Sequence, residues 1–408
     1  MRILMINHYS GSVELGMEYR HFYLAKELQA LGHEVSIVAS EFSHLRITQP
    51  VQSTKKWTEH LGISHLWLSG RSYSGNGIRR LFNMLDFSRS LWHNALNIAV
   101  QRKPEIILAS SPHPFCSYGA ARLARIAGAK FIFEIRDLWP LSLMELGSMS
   151  PNHPLIRLLD HAEAYGCRHA HRVVSLLPCV DDYMERRGVH RDKWTWVSNG
   201  ILPSEWQTPC VKVSDRLAET LSTLKAQGFS IVGYAGTHGL ANSLDTLIDS
   251  AKLMQGENVA FVLVGGGSEK AALQRRAQVE GLKNVWLIDA VNKPQIPALL
   301  QRFDVAYIGL RRQSVYRFGI APNKLMDYMM AGKPILHAVE AGNDPVGESG
   351  CGLTVQPEDP RALAQGIRSL LGLSEDERKV LGRRGQAFVL KNHTYPVLAK
   401  RFLATCSQ

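Results

Sequence analysis

One pattern constrains the fold of this chain more than any other, and it occurs twice. A short apolar run is followed by a loop with glycine or polar residues, then by a segment of helical spacing, and then by a further apolar run. The first series begins at Ile3–Ile6 and the second at Ile231–Tyr234. Strands joined through helices in this way pair as parallel sheets. We therefore predict an α/β fold with two doubly wound parallel-sheet domains.

In the first series, the loop after Ile3–Ile6 contains Gly11 and Gly16, and Gly32 ends the predicted helix 17–31. This glycine spacing differs from the Gly-x-Gly-x-x-Gly of dinucleotide-binding folds, which disfavours a dehydrogenase. We expect Gly16 to let a substrate approach the backbone closely. The further strands are predicted at 35–39, 106–109, 131–135, 173–177 and 194–197.

The second series predicts strands at 231–234, 259–264, 285–288 and 305–308. The chain has 408 residues, too many for one ordinary core, so two or three domains are expected. Between the two series the pattern weakens around Pro203 and Pro209. We predict a first domain at 1–200, a linker at 201–228, a second domain at 229–385, and a C-terminal helix at 386–408 that packs back on the first domain.

Polar clusters follow two predicted strands of the first domain. His113, with proline on both sides, comes after strand 106–109, and Glu134, Arg136 and Asp137 stand at the end of strand 131–135. Ligands of open parallel sheets collect at the carboxyl ends of strands. These four residues are therefore candidates for chemistry, the alternative for His113 being a structural histidine.

The stretch 316–334 predicts a short helix with a binding function. Pro322 suits a first helical turn, and Gly332 ends the helix. Its unpaired amides and Lys324 favour phosphate, and Asp327, one turn further on, can accept hydrogen bonds from a ribose. The alternative is an ordinary capped helix with a solvated lysine and aspartate.

Two glycine loops follow strands of the second domain, Gly236–Gly239 and Gly265–Gly267. Glycine allows close approach of a nucleotide, although glycine turns are also plain connectors. Both loops are predicted at the carboxyl ends of strands. The candidate residues of the first domain are predicted at the equivalent end of its own sheet.

The formal net charge is +11, which favours an anionic partner such as nucleic acid, an anionic membrane surface or a phosphorylated substrate. No nucleic-acid-binding motif is visible, so that class is disfavoured. Residues 79–97 predict an amphipathic basic helix with Leu81, Leu85, Ser88 and Trp92 near one face. Such a helix either rests on anionic lipid headgroups or packs on its own sheet with its arginines in water.

Cysteine usage predicts a reducing, cytosolic compartment. No Cys-x-x-Cys pair or histidine cluster at zinc spacing occurs, and no apolar stretch reaches the roughly 18 residues of a spanning helix. The apolar run at the N-terminus is too short for a signal-peptide core. The six cysteines are scattered: Cys116, Cys167, Cys179, Cys210, Cys351 and Cys406.

Six motifs in order resemble glycosyltransferase family 4, the retaining transferases of the GT-B architecture. The resemblance is closest to bacterial enzymes that add N-acetylated deoxyhexosamines such as N-acetylfucosamine to O-antigen or capsule. It implies two Rossmann-like domains facing across a cleft. The motifs are Ile3–His8, Gly32–Val35, Phe133–Pro140, Ser198–Gly200, Tyr234–Gly239 and Tyr316–Pro334.

The resemblance implies roles for individual residues. In the second domain, Asp327 would bind the ribose, Asn323 and Lys324 the diphosphate, and Val291 would lie at the base pocket. Acceptor contacts are expected at Gly16 and Arg136, and His113 would lie near the donor sugar. The donor would also contact the two glycine loops through Gly236, Thr237, His238 and Gly266.

The sequence departs from the family in two places. The family's first donor-contacting glutamate falls at Gly319 or at Arg317, depending on the alignment. Its usual arginine and lysine after Gly236 are replaced by Thr237, His238 and Asn242. The diphosphate would then depend on Lys324, helix amides and Arg311, Arg312 or Arg317.

We expect transfer of a hexosamine-type sugar from a UDP-sugar to a polyprenyl-diphosphate-linked saccharide, with retention and without a metal or cofactor. The departing phosphate would help deprotonate the acceptor, and a double displacement with Glu134 or Asp137 as nucleophile is the alternative. The enzyme would be cytoplasmic, on the inner face of the membrane. Rival hypotheses are a nucleotide-sugar epimerase of the same fold and a catalytically silent sugar-nucleotide-binding subunit.

Overall fold

The structure is a computed structural model that describes residues 1–407 except 17, 51–55, 76, 146, 148 and 208–210. Cys210 lies outside the described residues, and the other five cysteines are free thiols. Contacts divide the chain into two compact units. The first unit contains Met1–Asn199 and the C-terminal segment from Tyr395, and the second contains Gly200–Thr394.

The first unit is built on an eight-stranded sheet with the order β3-β4-β2-β1-β5-β6-β7-β8. All neighbouring strands are parallel except β3 and β4. The central strands are buried along nearly their whole length, as expected for a parallel sheet covered on both faces. The strands are β1 Arg2–Ile6, β2 Glu34–Ser40, β3 Trp57–His60, β4 Ile63–Leu68, β5 Ile106–Ser111, β6 Lys130–Ile135, β7 Arg172–Ser175 and β8 Trp194–Trp196.

Six helices connect these strands. Gly32, with a φ of +85°, follows the first of them, as predicted. Helix α5 was not predicted. The helices are α1 Arg20–Ala30, α2 Ile78–Arg102, α3 Cys116–Ala127, α4 Leu141–Glu145, α5 Pro154–His169 and α6 Asp181–Arg186.

Helix α2 is longer than predicted, and its most deeply buried residues lie beside the predicted apolar face. Its buried residues include Met84, Phe87, Leu91 and Ile98, whereas Trp92 of the predicted face is exposed. Leu81 and Leu85 of the predicted face are partly buried against the same core cluster as Met84, so that face packs in part. The hairpin of β3 and β4 was also missed, because residues 55–70 show no clear period-2 pattern.

The second unit contains a six-stranded sheet, all parallel, with the order β11-β10-β9-β12-β13-β14. Its first four strands match the predicted ones, and the last two were not predicted. The strands are β9 Ser230–Ala235, β10 Val259–Val264, β11 Val285–Ile288, β12 Val305–Gly309, β13 Ile335–Ala338 and β14 Gly352–Thr354.

The second unit begins before its sheet. Leu217, Leu221 and Leu224 are buried in the same hydrophobic core as strand β9, so part of the predicted linker 201–228 packs as a helix of this unit. The helices are α7 Ser204–Gln207, α8 Asp215–Ala226, α9 Leu244–Leu253, α10 Lys270–Val279, α11 Ile296–Leu300, α12 Asn323–Met330, α13 Pro345–Ser349, α14 Pro360–Leu371 and α15 Glu375–Asn392.

The chain returns to the first unit at Tyr395, not at residue 386. The last helix, α16 Tyr395–Ser407, packs beside α1, where the rings of Tyr23 and Tyr395 lie 5.0 Å apart. Residues 386–392 belong to α15, which begins with a capping box at Ser374 and continues to Asn392. Among the residues that the structure describes, no helix is both long and apolar enough to span a bilayer.

Candidate active site

The predicted helix at 316–334 is present as α12, and Lys324 lies in its first turn. Pro322 is not a helical residue: with φ −72° and ψ 127° it is the extended residue before Asn323, which begins the helix and is exposed. Within α12, Leu325, Tyr328 and Met329 are buried, as their spacing predicts.

Lys324 is tied to the loop after β9. Its Nζ donates to the Tyr234 hydroxyl at 2.8 Å and to the Asn242 Oδ1 at 2.5 Å, and it lies 4.6 Å from the centre of the Tyr234 ring. An ammonium group has three donors, so two are used here and one remains for a ligand. Tyr234 and Asn242 are therefore the positioning partners of the candidate phosphate cation.

The same partners fix the loop itself. The Tyr234 hydroxyl donates to the Thr237 carbonyl at 2.7 Å, and the Asn242 Nδ2 donates to that carbonyl at 3.0 Å. A Cβ at Gly236 would lie 3.4 Å from the Lys324 Nζ. The lysine, the loop and the start of α12 thus form one hydrogen-bonded assembly.

Burial lowers the pKa of Lys324 to about 8. The charged form is the one that binds phosphate, so we expect UDP affinity to be full below pH 7 and to fall as the pH rises through 8. The loss of one charge-assisted hydrogen bond corresponds to about 1.5–3 kcal/mol, a factor of roughly 10–100. Titration calorimetry with UDP between pH 6.5 and 9.5 measures this, and a flat profile would contradict it.

The two glycine loops pack directly on each other. A Cβ at Gly265 would lie 1.8 Å from the Gly236 carbonyl oxygen, and a Cβ at Gly267 would lie 2.4 Å from the His238 carbonyl oxygen. The His238 amide donates to the Gly266 carbonyl at 2.8 Å. Nothing lies within 4 Å of a Cβ at Gly266, which faces open space. Gly265 and Gly267 are therefore required by packing.

His238 is fully buried between these loops, and neither ring nitrogen has a hydrogen-bond partner among the described residues. Burial, with the nearby Lys270 and Lys324, lowers the pKa of His238 to about 4. At neutral pH its ring is therefore uncharged. It does not replace the missing family cation, and the positive charge at this loop comes from Lys324.

Asp327 faces a different environment from Lys324, although both belong to α12. Burial raises the pKa of Asp327 to about 6; Lys293 opposes this shift and Glu205 adds to it. Lys293 and Glu205 pair with each other at 3.0 Å. The Asp327 carboxylate accepts no hydrogen bond from a described residue, so its oxygens are free to accept from ribose hydroxyls. Val291 packs, partly buried, on the core that contains α12.

Neither candidate position for the missing glutamate provides a carboxylate. Gly319 follows a 3-10 helix, Ser314–Phe318, with a φ of +93° that favours glycine. Arg317 is exposed, and its guanidinium stacks on the Phe318 ring at 4.4 Å. Sugar recognition must use other groups.

Two further arginines considered for the diphosphate are already paired. Arg311 binds Asp245 at 2.7 Å, and Arg312 binds Glu340 at 3.1 Å. Of the cations considered for the diphosphate, these two pairs leave Lys324 and the exposed Arg317.

In the first unit, His113 is fully buried at the end of β5 and belongs to a chain of hydrogen bonds. Its Nε2 lies 2.8 Å from the His8 Nδ1, and the His8 Nε2 lies 2.7 Å from the Asn83 Oδ1. The Asn83 Nδ2 donates to the Arg71 carbonyl at 2.7 Å, which fixes the orientation of the amide. Sequence reasoning missed His8 and Asn83 in this role.

The chain of bonds defines the tautomers. Since Asn83 Oδ1 is an acceptor, the His8 Nε2 carries the proton and its Nδ1 accepts from the His113 Nε2. The His113 Nδ1 is then a lone-pair acceptor, and it has no partner among the described residues. Burial and the nearby Arg80 lower the pKa of His113 to about 3. His113 is therefore an uncharged acceptor, suited to a sugar hydroxyl.

Glu134 is held in a fully buried ion cluster. Its Oε1 accepts from Arg20 at 2.8 and 3.0 Å, and its Oε2 accepts from the His21 Nε2 at 2.8 Å. Arg20 also donates to the Val197 carbonyl at 2.8 Å. Although burial alone would raise the pKa of Glu134, Arg20 and His21 hold it well below its usual range.

The Asn7 amide settles the state of His21. Its Oδ1 accepts from the Tyr9 amide, so its Nδ2 donates to the His21 Nδ1 at 2.7 Å. His21 is therefore neutral, with its one proton directed at Glu134. Both carboxylate oxygens of Glu134 are thus engaged in a buried network, which disfavours Glu134 as a nucleophile.

Arg136 and Asp137 follow the same strand but differ in their surroundings. Arg136 forms an ion pair with Glu18. Asp137 is exposed and forms no hydrogen bond with a described residue. Asp137 remains the acidic candidate of the first unit that a substrate can reach.

Gly16 has a packing role. With a φ of +97°, it lies against the loop after β2, where a Cβ would come 2.9 Å from the Ile47 amide nitrogen. The face of Gly16 expected to admit a substrate is therefore filled by Ile47. Its acceptor contact stays a prediction that would need the opposite face.

Among the described residues, no group of three or more His, Cys, Asp and Glu side chains could hold a metal ion.

Two family models match the chain. Residues 16–200 match the Glycosyl transferase 4-like domain, and residues 230–372 match Glycosyl transferases group 1. The chain is a family 4 glycosyltransferase. His113, Glu134 and Asp137 lie in the first match, and Lys324 and Asp327 lie in the second.

Two curated relatives of this glycosyltransferase come from bacteria. The protein named colanic acid biosynthesis glycosyl transferase WcaI, of Escherichia coli (strain K12), is 25% identical over 357 residues, which is 84% of this chain and 86% of that protein. The D-rhamnosyltransferase WbpZ of Pseudomonas aeruginosa is 27% identical over 229 residues, 54% of this chain and 55% of that protein.

Solved structures confirm the GT-B fold of the glycosyltransferase. Anabaena HepE in complex with UDP and glucose matches with a TM-score of 0.68 and 16% identity, over 100% of both chains. WaaG, a glycosyltransferase involved in lipopolysaccharide biosynthesis, matches with a TM-score of 0.66 and 12% identity, over 98% of both chains. At these identities the likeness concerns the fold alone.

Proposed function

We propose that this glycosyltransferase moves a hexosamine-type sugar from a UDP-sugar to a polyprenyl-diphosphate-linked saccharide, with retention, in surface polysaccharide synthesis. One observation carries the donor part of the proposal: Lys324 and Asp327 stand one turn apart at the start of α12, the lysine oriented by Tyr234 and Asn242. This arrangement supports our assignment of the lysine to a diphosphate and of the aspartate to a ribose.

The leaving group develops negative charge on the diphosphate, and preorganised donors stabilise it most effectively because they need not reorient. Lys324 retains one free N–H, and the first amides of α12 have no side-chain cap among the described residues. In this proposal these groups supply the positive charge, and no metal ion or cofactor takes part.

The choice of donor and pathway is supported by the relatives. HepE was solved with UDP and glucose, WcaI is named for colanic acid biosynthesis, and WaaG for lipopolysaccharide biosynthesis. A lipid-linked acceptor places the enzyme at the cytoplasmic face of the membrane.

Retention would proceed on one face of the sugar. The departing phosphate takes the acceptor's proton, and the buried Nδ1 of His113 would have to be uncovered before it could accept a hydrogen bond from a donor-sugar hydroxyl. Because Glu134 is fully engaged, a double displacement would have to use Asp137 as its nucleophile. Mass spectrometry that found a glycosylated Asp137 would overturn the same-face route.

The variant Asp327→Asn distinguishes ribose binding from diphosphate binding in the proposed donor site. We expect UDP affinity to fall about tenfold or more, because the amide loses a charged acceptor of ribose hydroxyls. Inorganic diphosphate binding should be unchanged, since Lys324 is intact. Above pH 6 the variant should also melt a few degrees higher, because the half-buried charge is removed, and this gain should vanish below pH 4.

Calorimetry with UDP and with diphosphate measures the two affinities, and thermal melts at about pH 3.5 and pH 8 measure the stability. Equal losses for both ligands would contradict the ribose assignment.

An assay of sugar transfer, with and without acceptor, tests the proposed reaction as a whole. The enzyme should transfer sugar from a UDP-hexosamine to a polyprenyl-diphosphate saccharide and should leave the donor unchanged when acceptor is omitted. Conversion of the donor alone to an epimer, or donor binding without turnover across a panel of acceptors, would contradict it.

A further inference from the structure

Asn83 is a buried amide of α2 that is connected to His113 through one intervening side chain, His8. All three side chains are fully buried, and we call them the relay. They come from different elements, because Asn83 belongs to α2, whereas His8 and His113 follow β1 and β5. These two strands are parallel neighbours in the sheet, so the two histidines meet at their carboxyl ends.

The surroundings of Asn83 allow its amide one orientation. Its Nδ2 donates to the Arg71 carbonyl at 2.7 Å, so its Oδ1 faces the ring of His8. Space is restricted as well, because a Cβ at Gly70 would lie 2.8 Å from that Nδ2 and 2.6 Å from the Ser40 Oγ. Turning the amide over would place its oxygen against the Arg71 carbonyl, and two acceptors cannot form a hydrogen bond.

The amide therefore sets the direction of both hydrogen bonds in the relay. Its Oδ1 requires the proton of His8 on Nε2, so the His8 Nδ1 accepts from the His113 Nε2. The Nδ1 of His113 is left as a buried acceptor without a partner among the described residues. Buried polar atoms without a partner are uncommon in folded proteins, and a ligand hydroxyl would satisfy this one.

The two rings carry no charge at neutral pH. Burial lowers the pKa of His8 well below its usual range. His113, Arg46 and Arg80 lower it further, and the hydrogen bond to the amide acts in the opposite direction. Burial and Arg80 lower the pKa of His113 to about 3. No carboxylate of a described residue hydrogen-bonds to either ring, so nothing in the relay stabilises an added proton.

We infer that Asn83 is a positioning residue for sugar transfer: as an amide it makes His113 present an acceptor, and not a donor, once the Nδ1 of His113 is uncovered. A carboxylate at position 83 would have nearly the same shape, but it would stabilise a second proton, taken from solvent, on His8. The charged His8 would then donate to the His113 Nε2, and the His113 proton would move to Nδ1. The inference rests on the proposed function for the sugar contact, whereas the position of the proton is independent of it.

NMR of the full chain with isotopically labelled histidine locates the protons, because protonated and bare ring nitrogens differ widely in chemical shift. The signals are assigned by their loss in His8→Gln and His113→Gln. We expect the wild-type His113 to carry its proton on Nε2 at every pH between about 6 and 8. A wild-type proton on Nδ1 would overturn the inference, and this measurement needs no folded variant of Asn83.

Asn83→Asp is expected to reverse the relay in a pH-dependent way. The carboxylate raises the pKa of His8, so the reversed form is present below that pKa and is lost as the pH rises through it. At about pH 6 we expect the His113 proton on Nδ1 and a kcat about tenfold below wild type, because the sugar hydroxyl loses the acceptor for its proton. At about pH 8 both should approach the wild type.

The matched control is Asn94→Asp, which makes the same change about three turns further along α2, where the amide donates to the Ser90 carbonyl at 2.8 Å. Its kcat and the His113 tautomer should match the wild type at both pH values. A reversed tautomer in Asn83→Asp with wild-type kcat, or a wild-type tautomer at both pH values, would overturn the inference alone. A wild type with the expected tautomer but without sugar transfer would instead reject the proposed function.

Discussion

Replacing Lys324 with alanine is expected to lower turnover about 100- to 1,000-fold while the fold stays intact. The reason is electrostatic: Tyr234 and Asn242 remain, but neither carries charge, so the leaving diphosphate loses its positioned cation. Stability should hold because burial already disfavours the charged lysine, as its lowered pKa indicates. The melting temperature should therefore be unchanged or slightly higher.

Steady-state kinetics with a thermal melt measures both effects. Lys333→Ala is the matched control, because Lys333 is also a half-buried lysine of the second unit with a pKa lowered by burial. Its Nζ donates to the Gln301 carbonyl at 2.8 Å, before β13 and so at the amino end of the sheet. Near-normal turnover of Lys324→Ala would remove Lys324 from the active site.

The second large effect is expected from Glu134→Gln, which should reduce the free energy of unfolding of the first unit by about 3–5 kcal/mol. Glutamine keeps the shape of the side chain, but it leaves the Arg20 guanidinium buried without its counter-ion. It also presents a neutral oxygen, or an amide, to the His21 proton. We therefore expect the substitution to lower the stability of the first unit, and any loss of activity to follow from that.

Chemical denaturation, followed by hydrogen exchange of peptides from α1 and β6, measures this. Glu105→Gln is the control, because Glu105 pairs with Arg2 at the surface of the same unit, at 3.8 Å, where such pairs contribute little. If Glu134→Gln were as stable as the control but inactive, a role of Glu134 in the reaction would have to be reconsidered.

The parts of this fold that were predictable are those with local causes. Ile3–Ile6 and Val259–Val264 are continuous apolar runs, and both form central strands. The ends of α12 were found closely, because Pro322 restricts φ before the helix and Gly332 adopts the positive φ of +65° that ends it. Local sterics and apolar periodicity were sufficient there.

The parts that were missed depend on partners distant in sequence. Glu134 is held as a buried carboxylate by Arg20 and His21, which lie more than 110 residues earlier in the sequence. Without those partners in view, a glutamate at the end of a strand was interpreted as a catalytic residue. The fully buried residues of α2, Phe87, Leu91 and Ile98, were not identified because the helix carries apolar rows on more than one side. No local rule indicates which row meets the sheet.

The contact between the loops 236–239 and 265–267 restricts which of their residues can be varied by mutagenesis. Because a side chain at Gly265 or Gly267 would collide with the backbone of the other loop, those two positions tolerate no randomisation by themselves. A library that varies one loop must retain both glycines or redesign the partner loop in the same clone. Gly266, with open space around it, is a position in this pair of loops where a single new side chain can be introduced without that double change.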